Sequence, residues 1–323
     1  MKSWTTLAAL TTTLLLQGAA WAMDAYPSRP VKLLVGYAPG GPVDTAARIY
    51  AEQLGRVLKQ PVVVDNRAGA SGAIAADMTA KATPDGYTLY FVASPTMTMT
   101  PLIQRSVNFN PVKDYTYIGL ITDYTNVLLV NKDFPAKNVG ELVDYARKHP
   151  QDVSFGSAGV GASNHLSAEL LAQMNGVKML HVPYKGNSPA MADVMSGKVT
   201  FMFDITGTAI GHINGGKVRA LAVTSRTRNP ALPTVPTMIE SGQKDYDLTG
   251  WYALVGPQKL PADVVDKLVK AQKTIGDDPA YRQRMAAGGY DVNVSTPKQL
   301  GDRIQRELAL WGGVVKKAGI QAD

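Results

Sequence analysis

The sequence has no cysteine, few aromatic residues (7%) and only 18% charged residues in 323 positions. The missing cysteine excludes a disulfide framework, a thiol nucleophile, a zinc ribbon and an iron–sulfur cluster. No apolar run reaches the roughly 18 residues that a membrane-spanning helix needs. The hydrophobic fraction of 45% excludes a disordered or fibrous chain, and the length accommodates about two domains. The formal net charge of +7 leaves three partners open: nucleic acid, an anionic surface or a small anionic ligand.

The first 22 residues have the pattern of a secretory signal peptide. Lys2 supplies a positive charge, Leu7–Leu16 form a short apolar stretch, and Ala20-Trp21-Ala22 is a small-x-small cleavage site. A buried N-terminal helix is the alternative. The pattern predicts cleavage after Ala22 and a periplasmic protein, and without cysteine there is no site for a lipid anchor. Export, together with basic residues scattered singly along the chain, argues against a nucleic-acid partner.

Catalytic and metal-binding motifs are also missing. The sequence contains no GxSxG elbow, no HExxH and no GxxxxGK[ST] phosphate loop. Its two S-x-x-K matches, Ser241–Lys244 and Ser295–Lys298, lie in a polar loop and at a helix start. The four histidines show no metal-ligand spacing. We therefore predict a protein that is not an enzyme and that needs no metal or other cofactor.

Apolar runs alternate with helical periodicities along the rest of the chain, which predicts an α/β fold with mainly parallel sheets flanked by helices. The strands are predicted at Val31–Tyr37, Pro61–Asp65, Thr88–Ala93, Val153–Gly156, Met179–Val182, Val199–Phe203 and Val218–Val223. A first helix is predicted at about Asp44–Lys59. Helix starts are indicated by capping-box patterns at Asn138–Glu141 and Thr296–Gln299, and by Ser188 as an N-cap before Pro189. Ile121–Asn126 and the proline-rich stretch Asn229–Pro236 are the expected crossings between domains.

The segment Tyr37–Asp44 (YAPGGPVD) joins the first predicted strand to the first predicted helix. Two glycines permit a tight turn with free backbone N–H groups, and a helix N-terminus adds about half a positive charge. Such a loop binds an anion without any charged side chain. Asp44 is best placed as the N-cap of the helix. A plain strand-to-helix turn with an aspartate cap is the alternative.

Three further segments have the same character. Gly156–Gly161 (GSAGVG) follows a strand and precedes a helix, and Ser157 and Ser163 add hydroxyls there. Ser94-Pro95-Thr96 follows the third predicted strand, and Lys185–Ser188 precedes a helix. Ligands of open α/β sheets bind at the carboxyl ends of strands. Several uncharged, amide-rich strand ends in one chain therefore favour a polar anion in a cleft.

Three titratable residues lie near these loops. His165 falls in the first helical turn after the second glycine loop and can touch an anion or bond to its own loop. His181 is predicted to be structural. Asp204 ends the apolar strand TFMFD, where it can accept a hydrogen bond from a ligand or an ordered water, or cap the next helix.

Seven segments in a fixed order now point to a family. They are Tyr26–Arg48, Val62–Ala76, Pro84–Phe91, Phe109–Gly119, Phe155–Leu166, Val182–Asp204 and Lys217–Ser225. This set resembles the secreted solute-binding proteins of tripartite tricarboxylate transporters, also called the Bug family. The resemblance covers essentially all of the chain beyond the signal peptide.

The resemblance implies a two-lobe Venus-flytrap fold that closes on a small organic carboxylate. Residues 23–123 and 246–323 would form the first lobe, and residues 124–245 the second. The loops 38–44 and 157–163 would clasp a carboxylate, partly through ordered water, with Asp44 ordering the first loop and Asp204 near the ligand. The implied partners are a di- or tricarboxylate, aromatic ones included, and integral membrane permease subunits; the protein itself would be a monomer.

Fourteen residues are expected at the ligand on these grounds. They are Tyr37, Ala38, Gly41, Val43, Asp44, Ser94, Thr96, Ser157, Ala158, Gly161, Ser163, His165, Asn187 and Asp204. Two departures from the family pattern bear on specificity. Ala162 stands where many relatives have a hydroxyl residue, and Met97 and Met99 follow Ser94 where relatives are often more polar. A methionine in the cleft would favour an aliphatic or aromatic diacid over citrate.

Two other functions stay open at this stage. A carboxylate sensor of the same fold would signal to a membrane receptor instead of a permease, and the sequence does not separate the two. A secreted hydrolase would need a nucleophile with a base, and no such pair stands out in the sequence.

Overall fold

The computed structural model describes residues 26–244, 246 and 248–318, so the predicted signal peptide and its cleavage site lie outside the described residues. The strands are β1 (Val31–Val35), β2 (Val62–Asn66), β3 (Thr88–Ala93), β4 (Tyr115–Asn131), β5 (Ser154–Ser157), β6 (Leu180–Pro183), β7 (Phe201–Ile205), β8 (Val218–Val223), β9 (Thr249–Pro257) and β10 (Tyr290–Val292). The helices are α1 (Pro42–Leu58), α2 (Ala73–Ala80), α3 (Ser94–Thr98), α4 (Thr100–Ile103), α5 (Val139–Lys148), α6 (Ser163–Asn175), α7 (Asn187–Met195), α8 (Thr206–Asn214), α9 (Ala262–Asp277), α10 (Pro279–Ala287) and α11 (Pro297–Ala318).

The predicted alternation of strands and helices is confirmed, with shifts at several ends. α1 begins at Pro42 with Gly41 at its N-cap, so the expectation that Asp44 is the cap is wrong. α7 begins at Asn187 with Gly186 at its N-cap, and Ser188 lies inside its first turn. The helix can begin before Pro189 because a first-turn residue needs no N–H donor. The capping box predicted at Asn138 is confirmed, since its side chain accepts from the Glu141 amide.

Strand pairing is parallel at the two ends of the sheet and antiparallel in the middle. β1 pairs in parallel with β2 and β3, and β5 pairs in parallel with β6 and β7. The central strands β4 and β9 run antiparallel to each other, β9 is antiparallel to β3, and β4 is antiparallel to β7 and β8. The α/β fold is therefore confirmed with mixed sheets. The parallel pairs belong to the strand–helix–strand units that the sequence predicts.

The strand β4 runs through both halves of the molecule. Its residues 115–125 pair with β9, and its residues 126–130 pair with β7. The expected crossing at Ile121–Asn126 lies inside this strand, which the sequence analysis did not predict. Asn229–Pro236 is not a crossing, because Leu232 and Val235 pack in one cluster with residues of β4 and β7.

The apolar core is divided between two lobes. Two buried clusters draw almost wholly on residues 31–124 and 251–304, and two others draw on residues 127–246. The exact lobe boundaries predicted from the resemblance stay a prediction. Within the described part of the chain, no helix combines the length and the apolar composition that crossing a membrane requires.

Candidate functional site

The first glycine loop is held by Asp44 from inside helix α1. The Asp44 carboxylate accepts from the Gly40 amide, from Arg48 Nε and from Asn66 Nδ2, each at 2.9 Å. Gly40 has a φ of 75°, a backbone conformation that favours glycine. No side chain among the described residues caps the helix at Gly41. Asp44 therefore shapes the loop, while the N-terminal amides of α1 stay available to a ligand.

Asp44 keeps its negative charge despite being buried. Burial alone would raise the pKa of this carboxyl group, but the hydrogen bonds from Arg48, Gly40 and Asn66 outweigh burial and hold the pKa below its usual range. The Arg48 guanidinium also places a positive charge beside the carboxylate, with a separation of 2.9 Å. An incoming anion thus meets a neutralised aspartate and not a bare negative charge.

The second glycine loop lies between β5 and α6 and is held by side chains of its own helix. The Asn164 Oδ1 accepts from the Ala158 amide, and the His165 Nδ1 accepts from the Gly161 amide, both at 3.0 Å. Gly159 and Gly161 have φ values of 126° and 81°. α6 begins after Ala162, and its N-terminus has no side-chain cap within the described chain. It is a second helix N-terminus that follows a strand end, and its His165 amide donates to Asn164 Oδ1 at 3.0 Å.

A stacked histidine pair supports this loop from behind. The rings of His165 and His181 stack with centroids 4.1 Å apart, and His181 Nε2 forms a 2.6 Å hydrogen bond with Ser157 Oγ. Burial, followed by the neighbouring His165, lowers the pKa of His181 to about 4. Of the two roles considered for His165, the structure shows the bond to its own loop. His181 is structural, as the sequence analysis expects.

Asp204 lies deep at the end of β7 and is linked to the second loop. Its carboxylate accepts from Asn187 Nδ2, from the Ile205 amide at 2.8 Å and from Thr208 Oγ1 at 2.7 Å. Burial raises the pKa of Asp204, and these donors oppose that rise. Asn164 Nδ2 in turn donates to Asn187 Oδ1 at 3.4 Å. Ile205, not Asp204, is the N-cap of α8, so the capping alternative for Asp204 is wrong.

The loops of the two lobes face each other directly. Ser71 Oγ and Gln104 Nε2, both of the first lobe, donate to the Val160 carbonyl of the second, the latter at 3.0 Å. A Cβ added to Gly186 would lie 3.0 Å from Ala38 Cβ. Ala158 and Ala162 pack in the same buried cluster as Tyr37 and Val43. The structure thus brings both uncapped helix N-termini to one cleft.

The remaining predicted residues of the first lobe hold the cleft wall. Tyr37 OH and Thr96 Oγ1 both donate to the Ser71 carbonyl, at 3.1 and 2.8 Å. Burial raises the pKa of Tyr37 well above its ordinary value, so its hydroxyl stays a donor. Ser94 Oγ accepts from the Trp251 amide at 3.2 Å. The hydroxyls of Tyr37 and Thr96 thus position Ser71, which the sequence analysis did not single out.

A cavity of about 260 Å³ opens between the lobes beside Ser94 and Ser163. Its walls come from α3, from the start of α6, from the crossing strands β4 and β9, and from helix α11. The lining residues are Ser94, Pro95, Thr98, Met99, Asn126, Ser163, Leu166, Leu248, Thr249, Gly250, Arg303, Glu307, Leu310 and Trp311. Met99 therefore reaches the cavity, whereas Met97 is fully buried in the first-lobe core.

The sequence analysis missed the residues that hold the loops from a distance. Asn66 ends β2 and could have been suspected, because a polar residue at a strand end lies near neighbouring strand ends. Asn164 is adjacent to two predicted residues. Arg303, Glu307 and Trp311 come from α11, more than 130 positions after Ser163, and no local pattern indicates that they reach the cleft. The described residues contain no group of histidine or acidic side chains that could hold a metal ion.

Two lobes joined through a continuous strand, with helix N-termini meeting between them, define the class of periplasmic binding proteins. The chain belongs to the tripartite tricarboxylate transporter family receptor (TctC) family, whose model matches residues 46–320. It is 37% identical to a protein of Agrobacterium vitis, the UPF0065 protein in the TAR-I ttuE-ttuC' intergenic region, over 97% of this chain and 91% of that one.

Solved structures agree with this assignment. The periplasmic binding protein BugD is 37% identical and superimposes with a TM-score of 0.89, over 92% of this chain and all of that one. Rpa4515 of R. palustris with adipate is 32% identical, with a TM-score of 0.89, over 92% of this chain and 99% of that one. MatC of Rhodopseudomonas palustris with bound malate is 32% identical, with a TM-score of 0.86, over 90% of this chain and all of that one.

Proposed function

We propose that the protein captures a small organic carboxylate between its lobes in the periplasm and delivers it to a tripartite tricarboxylate-type permease. The observation that carries this proposal is the meeting of two uncapped helix N-termini, those of α1 and α6, across one cleft. Each N-terminus offers free backbone amides and about half a positive charge. A carboxylate between them gains stabilisation from both lobes at once.

The chemistry of the loops supports an anion over a cation. The ionised Asp44 is already neutralised by Arg48, and burial favours the protonated form of Asp204. Amides at the loops are donors, and only an acceptor group can use them. Relatives support the same class, because Rpa4515 is seen with adipate and MatC with malate. A di- or tricarboxylate, aliphatic or aromatic, is therefore the ligand class that the family favours.

Hinge closure is the mechanism that follows from this geometry. A ligand that touches α1 and α6 together binds the closed arrangement better than an open one, and it shifts the population toward closure. The bonds from Ser71 and Gln104 to the Val160 carbonyl form only when the lobes are close. Closure would present a single surface, made of both lobes, to the permease subunits.

A non-catalytic role is part of the proposal. Ser157 and His181 are within hydrogen-bonding distance, but Ser157 is fully buried and its hydroxyl also accepts from the Gly159 amide. His181 is stacked on Phe155 and His165, which leaves its ring little freedom to approach a substrate. The site therefore binds and does not turn over its ligand.

The test is a thermal-shift screen of the purified protein against a carboxylate library that includes citrate, malate, adipate and terephthalate. A ligand that binds the folded state raises the apparent melting temperature by mass action. We expect at least one carboxylate to raise the melting temperature and to bind with one-to-one stoichiometry in calorimetry. The same carboxylate should be recovered chemically unchanged after incubation with the protein. No response to any carboxylate, or conversion of the ligand to product, would contradict the proposal.

A further inference from the structure

The interlobe cavity is lined by both apolar and polar side chains. Met99 and Leu166 pack with Trp311 in a small apolar cluster that joins both lobes to α11. Ser94 and Ser163, two of the residues predicted at the ligand, line the same cavity. Ser163 is the first residue of α6, so the cavity adjoins one of the two helix N-termini, and Ser94 begins α3 on the first-lobe side. A ligand held at the loops has space to extend in this direction.

The charged groups at the α11 side of the cavity are already paired. Arg303 Nη1 contacts Asp123 Oδ1 at 2.7 Å, and Arg303 Nε contacts Glu307 Oε1 at 2.9 Å. Trp251 Nε1 donates to both Glu307 oxygens, at 2.9 and 3.0 Å. This group holds one cation and two carboxylates. A second ligand carboxylate placed there would face net negative charge in a partly desolvated site.

Asn126 supplies an acceptor that lacks a partner. It is 1% exposed and lines the cavity, and its Nδ2 donates to Ser167 Oγ at 3.4 Å. The Ser167 hydroxyl donates to the Ser163 carbonyl at 2.9 Å, so it can only accept from Asn126, and this orients the amide. Asn126 Oδ1 then has no hydrogen-bond partner within the described residues. A buried acceptor without a partner is costly, and a donor supplied by a ligand removes that cost.

We propose that this cavity receives the end of the ligand remote from its loop-bound carboxylate, and that it selects a hydrogen-bond donor on an apolar stem over a second carboxylate. The inference rests on the proposed function, a small organic carboxylate held between the lobes, and it departs from the di- or tricarboxylate class that the relatives favour. The ligand would be a monocarboxylate whose far end carries a hydroxyl, amide or ammonium group. Met99, Leu166 and Trp311 would contact the stem, and Asn126 Oδ1 would accept from the donor.

The experiment compares matched ligands by calorimetry at chain lengths of about four, five and six carbons. At each length the set contains the alkanoate, the ω-hydroxy acid, the ω-amino acid and the α,ω-dicarboxylate. We expect, at the preferred length, an ω-hydroxy or ω-amino acid to bind about tenfold more tightly than both the alkanoate and the dicarboxylate. A dicarboxylate that binds as tightly as either donor ligand would overturn the inference and leave the proposed carboxylate binding intact.

Two variants test the residues themselves. Asn126→Ala should bring the donor ligand to within about threefold of the alkanoate, because the acceptor is removed; the ratio of the two affinities is the readout, since the loss of the Nδ2 bond to Ser167 acts on both ligands alike. Glu307→Gln should narrow the discrimination against the dicarboxylate by removing one negative charge. Asn214→Ala, an exposed asparagine at the end of α8, is the control and should change neither ratio. If Asn126→Ala keeps the full donor preference, Asn126 is not the acceptor and the inference is wrong.

Discussion

Asp44 places a carboxylate at a cleft that binds an anion in our proposal, and its surroundings explain why this is tolerated. Three donors converge on it, and one of them belongs to the glycine loop that would touch the ligand. In our proposal Asp44 therefore acts on the ligand indirectly, by holding the backbone of the first glycine loop. At this scale the cleft contains mostly polar side chains that fix loops, and in our proposal the loop-bound carboxylate is contacted by amides.

The substitution Asp44→Ala should lower ligand affinity at least about tenfold and reduce the unfolding free energy by about 1–3 kcal/mol. Both effects arise because Gly40, Arg48 and Asn66 lose their shared acceptor. Calorimetry and urea denaturation measure them. Glu52→Ala on the same helix is the control, because Glu52 only forms surface pairs with Arg56 and Arg284. Unchanged affinity in Asp44→Ala would remove this residue from the site.

The depressed pKa of His181 predicts how stability depends on pH. Below about 6.5 the unfolded chain binds a proton at this position, whereas the folded chain does so only near pH 4, because burial and His165 disfavour the charged ring. The unfolding free energy should therefore fall as the pH drops from 6.5 to 4. His181→Gln should flatten this dependence by about 1–3 kcal/mol. The control is Gln173→Ala, at an exposed position of α6 that carries no titratable group, and it should leave the dependence unchanged.

The sequence predicted the loops better than it predicted the roles of individual side chains. Glycine and proline mark the turns at 38–44 and 157–163 because their backbone preferences act locally. Asp44 looked like a cap because it precedes the apolar periodicity, but Pro42 extends the helix by two residues. The sequence could not predict that Arg303 and Glu307 line the cavity, because their approach to Ser94 depends on how α11 packs across the sheet.

At the scale of elements, the described helices begin either with or without a side-chain cap at the N-cap residue. α5 and α10, away from the cleft, are capped by Asn138 and Asp278. α1 and α6, like α9, have N-cap residues that form no side-chain cap in the described structure; these N-caps are Gly41, Ala162 and Pro261. Capping stabilises a helix by about 1 kcal/mol. At the cleft, Gly41 and Ala162 therefore do not compete with an external acceptor for the terminal amides.

The two glycines that flank α6 offer a matched pair of tests. Gly161 and Gly176 have φ values of 81° and 59°, and a Cβ at either would meet no atom closer than 3.7 Å. An alanine therefore costs about 1 kcal/mol of backbone strain at each site without a clash. We expect Gly161→Ala and Gly176→Ala to lose similar stability in thermal denaturation. Only Gly161→Ala should weaken carboxylate binding, because Gly161 lies in the second glycine loop and Gly176 lies at the other end of α6. Equal effects of the two substitutions on affinity would contradict this prediction.

Elements set by local signals were predicted, and elements set by long-range pairing were not. The capping box at Thr296 is confirmed by its reciprocal bonds with Gln299. β4 was missed because residues 115–126, with Gly119 inside, have neither clean alternation nor a continuous apolar stretch, and the apolar run Val127–Val130 that follows them is only four residues long. Its extended form depends on β9 and β7, which pair with it from distant parts of the chain.

At the scale of the whole molecule, the bonds to the Val160 carbonyl report the state of the cleft. Gln104 comes from the end of α4 in the first lobe, and Val160 from the second glycine loop. Such a bond stabilises the closed form alone, since the partners separate when the lobes open. It should thus contribute to ligand affinity without contact with the ligand.

Gln104→Ala should weaken ligand binding about two- to tenfold, mainly through faster dissociation. Stopped-flow measurement of association and dissociation separates the two rates. The control is Gln173→Ala, at an exposed position of α6. A variant with the dissociation rate of the wild type would show that this bond does not stabilise the closed form.

The position of β9 has a consequence for the order in which the protein is made. β9 lies between β3 and β4, so the edges of both strands stay unpaired until residues 249–257 have been synthesised. The clusters of the second lobe need nothing beyond residue 246 and can consolidate earlier. In a nascent chain the second lobe can thus pack before the first lobe is complete. The unpaired edges of β3 and β4 are prone to aggregation until the last quarter of the chain supplies β9.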